Sequence, residues 1–157
     1  MAAALLTGAI LAVAGLASTS WLGLRAASEA DLWRHTSFGI FSTMLTLLAH
    51  SMMMFYLIGK GRAVKDAMKE AGLSGDFLVR IARLRKPVLL AAVIGMLLTM
   101  VTAISGASVD THLLPPPVHG VLGFASFAAN VWTLRLEIVA LTASAKIVSE
   151  VDHLLGS

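Results

Sequence analysis

Residues 35–59 read HTSFGIFSTMLTLLAHSMMMFYLIG and contain no Asp, Glu, Lys or Arg. A helix rises about 1.5 Å per residue, so about 20 apolar residues cover a hydrocarbon layer about 30 Å thick. The stretch therefore reads as a membrane helix, and that reading decides how the rest of the chain is read. Two residues interrupt its apolar character, His35 at the start and His50 deep inside. Fifteen residues of helix place them about 60° apart around the axis and about 22 Å apart along it. Ionisable side chains at membrane depth are costly and mark functional sites by default.

Working outward, three further apolar runs have comparable length. The spans are expected at residues 2–24, 36–58, 88–108 and 118–140, the last with an amphipathic extension to residue 155. The first run has no Lys or Arg before it and is longer than the apolar core of a signal peptide, so it is expected to be retained as a helix. With 57% hydrophobic and 13% charged residues and a mean hydropathy of +0.84, the composition agrees. The predicted fold class is an all-α integral membrane protein, a single domain forming a four-transmembrane-helix antiparallel bundle. There are no cysteines, which excludes disulfides, thiolate metal sites, iron–sulfur clusters and thioether-linked haem.

Charge sets the expected orientation. The connection at residues 59–87 carries eight cations, including Lys60, Arg62, Arg83, Arg85 and Lys86, against three carboxylates. The positive-inside bias places it in the cytoplasm together with both termini. Trp21 and Trp33 are expected at the opposite lipid interface, and the listed cations at the cytoplasmic one. Short amphipathic helices are expected within 59–87, the first stopping near Gly72, and they suit an anionic lipid surface. Arg135 and Glu137 are read as marking the cytoplasmic interface of the fourth span. The excess charge follows topology, so nucleic acid is not an expected partner.

Small residues suggest how the helices pack. Gly8, Ala12, Gly15 and Thr19 form one stripe on the first span, where backbones can approach closely. Gly120 and Gly123 have the same use in the fourth, and Asn130 offers an interhelical hydrogen bond.

Candidate chemistry rests on the histidines. His35 and His119 fall at the same depth on different helices and are the leading pair for the axial ligands of a b-type haem, with Asp31 one turn before His35 to hold its other ring nitrogen. His50 is a second-site candidate; its plainer reading is a neutral imidazole hydrogen-bonded to a carbonyl or to Thr99 or Thr102. A metal alternative groups His112 and His119 with Asp110, nitrogen and carboxylate ligands that suit zinc or copper(II). Successive residues of Met52–Met54 point about 100° apart, so the run reads as packing rather than as a copper(I) site. No nucleophile–base pair or hydrolytic motif is present, and no catalytic residue is assigned.

The spacing of His35 and His50 resembles the two-haem helices of the cytochrome b family. That resemblance implies a second helix with a matching pair, but fourteen and fifteen residues beyond His119 the fourth span has Thr133 and Leu134. The stretches HTSFGIF and HSMMMFYLIGKGRAVKDA also look like a group of small uncharacterised four-helix bacterial membrane proteins, which implies a bacterial inner membrane. The expected function is a small accessory subunit of a larger membrane assembly, such as a respiratory or photosynthetic electron-transfer complex. The alternative is a haem-binding electron-transfer protein using His35 and His119, with a metal-binding or transport-associated role behind it. Expected contacts are membrane lipid, quinone, and other membrane subunits or further copies of the chain.

Overall fold

Long apolar runs with most of their charged residues gathered toward the ends give long helices. The computed structural model describes residues 1–72 and 74–156 and is all-helical over them. Its elements are α1 (Ala2–Arg25), α2 (Glu29–Glu70), α3 (Phe77–Asp110) and α4 (Pro116–Leu155). Consecutive helices pack side by side, and α4 closes the ring against α1; α2 and α4 also touch across the diagonal. Short connections make neighbours antiparallel, so α2 and α4 run in the same direction. His35 and His119 consequently share the end that carries both the α1–α2 and the α3–α4 turns.

The ends follow local chemistry. Ser28 caps α2 by accepting the Asp31 N–H, and its hydroxyl donates to Asp31 Oδ2 at 2.6 Å. That hydroxyl, more than the nearby Arg34, holds the exposed Asp31 carboxyl below its ordinary range. Proline at the first positions of α4 costs no hydrogen bond, because the first turn has none to lose. Gly72, just past α2, takes a φ of +63°, which glycine adopts without strain.

Sidedness is inverted relative to a water-soluble bundle. Among the described residues, ten buried side chains are polar or charged, including Ser42, Thr46, His50, Thr99, Asn130 and Glu137. Phe41, Leu48, Phe55, Leu97, Ile104, Val121 and Phe124 face outward. Such an apolar exterior belongs in lipid. Three helices, α1, α2 and α3, are long and apolar enough to cross a membrane.

The amphipathic pieces expected at 59–87 are not separate helices. With Leu73 outside the described residues, they are the ends of α2 and α3, and α3 runs through Pro87. The reason is tertiary: with α4 they extend the bundle by three helices around Val64, Met68, Ile81, Ile147 and Val151. Arg80 of α3 clamps Glu150 of α4 at 2.7 and 3.0 Å on the outside of this extension.

The α1 stripe packs against α2. A Cβ at Gly15 would lie 2.8 Å from Ser42 Oγ, and the Thr19 hydroxyl reaches the same Ser42 Oγ at 3.2 Å. Ala12 is fully buried, and Gly8 passes Ala49. At Gly120 the expectation fails: an added Cβ would meet nothing within 4 Å. Gly123 is only loosely engaged, 3.9 Å from Thr102 Cγ2, whereas Gly95 makes the close approach between α3 and α4.

Candidate functional site

Two polar clusters lie along the diagonal between α2 and α4. The deeper one answers what stands opposite His50. Nδ1 of His50 is 2.7 Å from Glu137 Oε1, and Nε2 is 2.9 Å from Asn130 Oδ1. Both His50 and Glu137 have no exposed surface.

The hydrogens of this cluster can be assigned from acceptors that have none to give. Thr99 donates to the Gly95 carbonyl at 2.8 Å, so the 2.8 Å contact between Thr99 and Ser126 must use the Ser126 hydroxyl hydrogen. The Asn130 amide donates to the Ser126 carbonyl at 2.8 Å and to Thr99 Oγ1 at 3.0 Å. Its Oδ1 therefore faces His50 and accepts the Nε2–H. One proton is left for the line between Nδ1 and Glu137 Oε1, and whichever atom holds it, the pair carries no net charge. Charge neutrality is what makes such a pair tolerable in an apolar bundle. Glu137 Oε2 is the one buried side-chain polar atom among the described residues without a partner.

Arg135 and Glu137, read together as interfacial, are separated by the helix. Two residues are about 200° of rotation, so Glu137 points inward while Arg135 is exposed, its guanidinium 5.5 Å from the Trp132 ring. His50 is also removed as a haem ligand, because both its ring nitrogens are engaged inside the protein. Its partners are not the hydroxyls of Thr99 or Thr102; Thr99 acts one step away, through Asn130.

The second cluster joins His35 and His119, whose ring centroids lie 5.9 Å apart at an interplanar angle of 78°. His35 Nδ1 is 3.0 Å from the Thr19 carbonyl and must donate to it. Ser105 gives its hydrogen to the Thr102 carbonyl at 2.7 Å, so His119 Nδ1 donates to Ser105 Oγ at 2.9 Å. In their neutral forms both rings therefore present a bare Nε2 lone pair, the state a metal requires. Asp31 does not orient His35, being engaged with Ser28. Glycine stands where the flanking helices pass the rings: a Cβ at Gly23 would lie 2.8 Å from His35 Cε1, and one at Gly106 3.3 Å from His119 Cε1.

Among the described residues, no three His, Asp or Glu side chains gather as for a metal ion. His112 and Asp110 do not join His119 in such a set. His112 occupies the turn after α3 with a φ of +59°, and Asp110 ends that helix in solvent. Trp21 and Trp33 are exposed at the histidine end, Trp21 beneath the Arg25 guanidinium at 4.3 Å. Lys60, Arg62, Arg83, Arg85 and Lys86 lie toward the opposite end.

Sequence reading missed Glu137 and Gly95. The signal for Glu137 was its register, one turn beyond the position opposite His50 on the face that also holds Asn130 and Thr133. Comparison with models of protein families, with characterised proteins and with solved structures finds no match.

Proposed function

We propose that the chain is an electron-transfer component of a bacterial inner membrane that crosses the bilayer four times, keeps both termini in the cytoplasm and holds one b-type haem between His35 and His119. The observation that carries this reading is the pairing of two imidazoles from diagonal helices, each anchored through Nδ1 with Nε2 free. The ring centroids stand 5.9 Å apart, a gap that one metal ion bonded to both imidazoles at about 2 Å would span. The donor set fits a haem better than a bare ion. His35 and His119 alone would suffice to hold a haem iron, whereas a structural or catalytic zinc takes at least three protein ligands. The chain's own contribution is to fix both tautomers, through Thr19 and Ser105, and to leave glycine beside each ring.

A visible absorption spectrum of the purified protein tests this. The expected result is a Soret band and a reduced α-band, lost in His35→Ala and in His119→Ala and retained in His112→Ala, which changes an exposed histidine outside the pair. A folded preparation that stays colourless after incubation with haemin defeats the proposal.

A second reading, a cofactor-free accessory subunit, is favoured by Arg135. Its cation is exposed on the flank of α4, seven residues short of the position level with the end of the second span, and among the described residues it meets the Trp132 ring and no carboxylate. A neighbouring subunit with a carboxylate at that depth would satisfy it. Native purification that recovers a colourless chain with a stoichiometric membrane partner supports this role, and a lone monomer in mild detergent defeats it.

A further inference from the structure

At the end of the bundle where α2 and α3 are joined, the two helices enclose a groove of about 450 Å³. Its walls are apolar, including Ile58, Ile81 and Leu89, and its cations are Arg62, Lys65 and Arg85, with no acidic residue in the lining. None of the three cations has an ion-pair partner among the described residues, whereas Arg80, a few residues away, is taken by Glu150. Gly61 keeps the groove open. A Cβ there would lie 3.3 Å from Arg85 Nη1, so the glycine lets Arg85 lie across α2.

Position supplies the second half of the argument. Residue 58 closes one apolar span and residue 88 opens the next, so the groove sits where the phosphates of a leaflet lie. Basic pockets between helices at that level take the headgroups of acidic lipids. We propose that this groove binds one anionic phospholipid, its phosphate among Arg62, Lys65 and Arg85 and its acyl chains along the outward faces of α2 and α3. Three positive charges favour a headgroup with no cation of its own, such as phosphatidylglycerol, over a zwitterionic one. The inference rests on the membrane-spanning reading of α2 and α3 and is independent of haem at the far end of the bundle.

The test is native mass spectrometry of the full chain released from neutral detergent and titrated with phosphatidylglycerol, phosphatidylcholine or inorganic phosphate. Wild type is expected to retain one phosphatidylglycerol at least tenfold more strongly than phosphatidylcholine, and excess inorganic phosphate should not displace it. The triple variant R62Q/K65Q/R85Q should lose that preference at least tenfold. A variant of equal net charge, K69Q/R83Q/K146Q, should stay within twofold of wild type. Gly61→Leu fills the groove without changing charge and should lose the lipid as the triple variant does, with unchanged helicity by circular dichroism. Equal losses in both triple variants would reduce the effect to diffuse electrostatics and overturn the site. Displacement by inorganic phosphate would assign the groove to free phosphate and overturn it too, as would equal retention of the two lipids. The visible spectrum is expected to be the same in every variant, so failure here and failure of the haem reading are separable.

Discussion

Among the described residues, His50 and Glu137 form a fully buried contact between two ionisable groups, and removing either side chain leaves the other without its ionisable partner. Taking away one member of a buried pair costs about 3–5 kcal/mol, because the other keeps its desolvation penalty. His50→Ala deprives Glu137 Oε1 of its partner and Asn130 Oδ1 of its donor, and Glu137→Ala leaves Nδ1 with nothing. Each is expected to destabilise the bundle strongly. The double substitution removes both penalties at once and should cost less than the sum of the singles by about 1–3 kcal/mol. Reversible unfolding of the four variants in mixed micelles measures the coupling; strictly additive losses would show that the two side chains do not act as a pair.

Among the helices, glycine positions separate contacts that hold the bundle from those that only permit it. Gly15→Ala drives a methyl to 2.8 Å from Ser42 Oγ and 3.3 Å from Ser42 Cβ, so the hydroxyl must turn away and the Cβ, which is fixed to the α2 backbone, must yield as well. Overpacking of this kind typically costs about 1–3 kcal/mol. Gly120→Ala meets nothing within 4 Å and replaces the poorer helix former, so it should be neutral or stabilising by up to about 1 kcal/mol. Thermal melts followed by circular dichroism compare the two, and equal effects would show that α1 does not depend on its close approach to α2. The small-residue stripe was legible because it is periodic in one helix. Gly95 was not, since nothing in α3 reveals that Asn130 of α4 will press an amide oxygen to 2.9 Å from where its Cβ would be. The fifteen-residue register from His119 correctly identified the level of His50, at Thr133 and Leu134. It missed the answer by one turn on either side, where Asn130 and Glu137 reach toward the imidazole along the axis. Glu137 was hidden further by Arg135, because two nearby charges in sequence suggest one surface and only the helical rotation separates them.

At the scale of the whole molecule, the bundle has two ends built on different terms. The histidine end is held by polar contacts between helices, and the opposite end by a three-helix apolar core with the Arg80–Glu150 clamp outside it. The guanidinium hydrogen bonds hold the Glu150 carboxyl below its ordinary range. A folded value below the unfolded one contributes stability that is fully present above the unfolded value, about 4.3, and is lost as pH falls through the folded value. The melting temperature of wild type should therefore exceed that of Glu150→Gln at neutral pH by a small margin that vanishes in acid. A margin unchanged by acid would remove the clamp from the account. The end itself was half legible: its amphipathic spacing was plain, but only the packing of three helices shows that α2 and α3 continue unbroken. The inward turn of Glu137 also bears on biogenesis. On the four-span reading, α4 leaves the ribosome after α1, α2 and α3 and, with Arg135 and Glu137 in its middle, is the least able of the four to partition into lipid alone. The segment already in place offers it His50. The pair would thus act first as a folding receptor, recruiting a reluctant helix into the bilayer, and a chain lacking His50 would be expected to strand α4 at the cytoplasmic surface during synthesis.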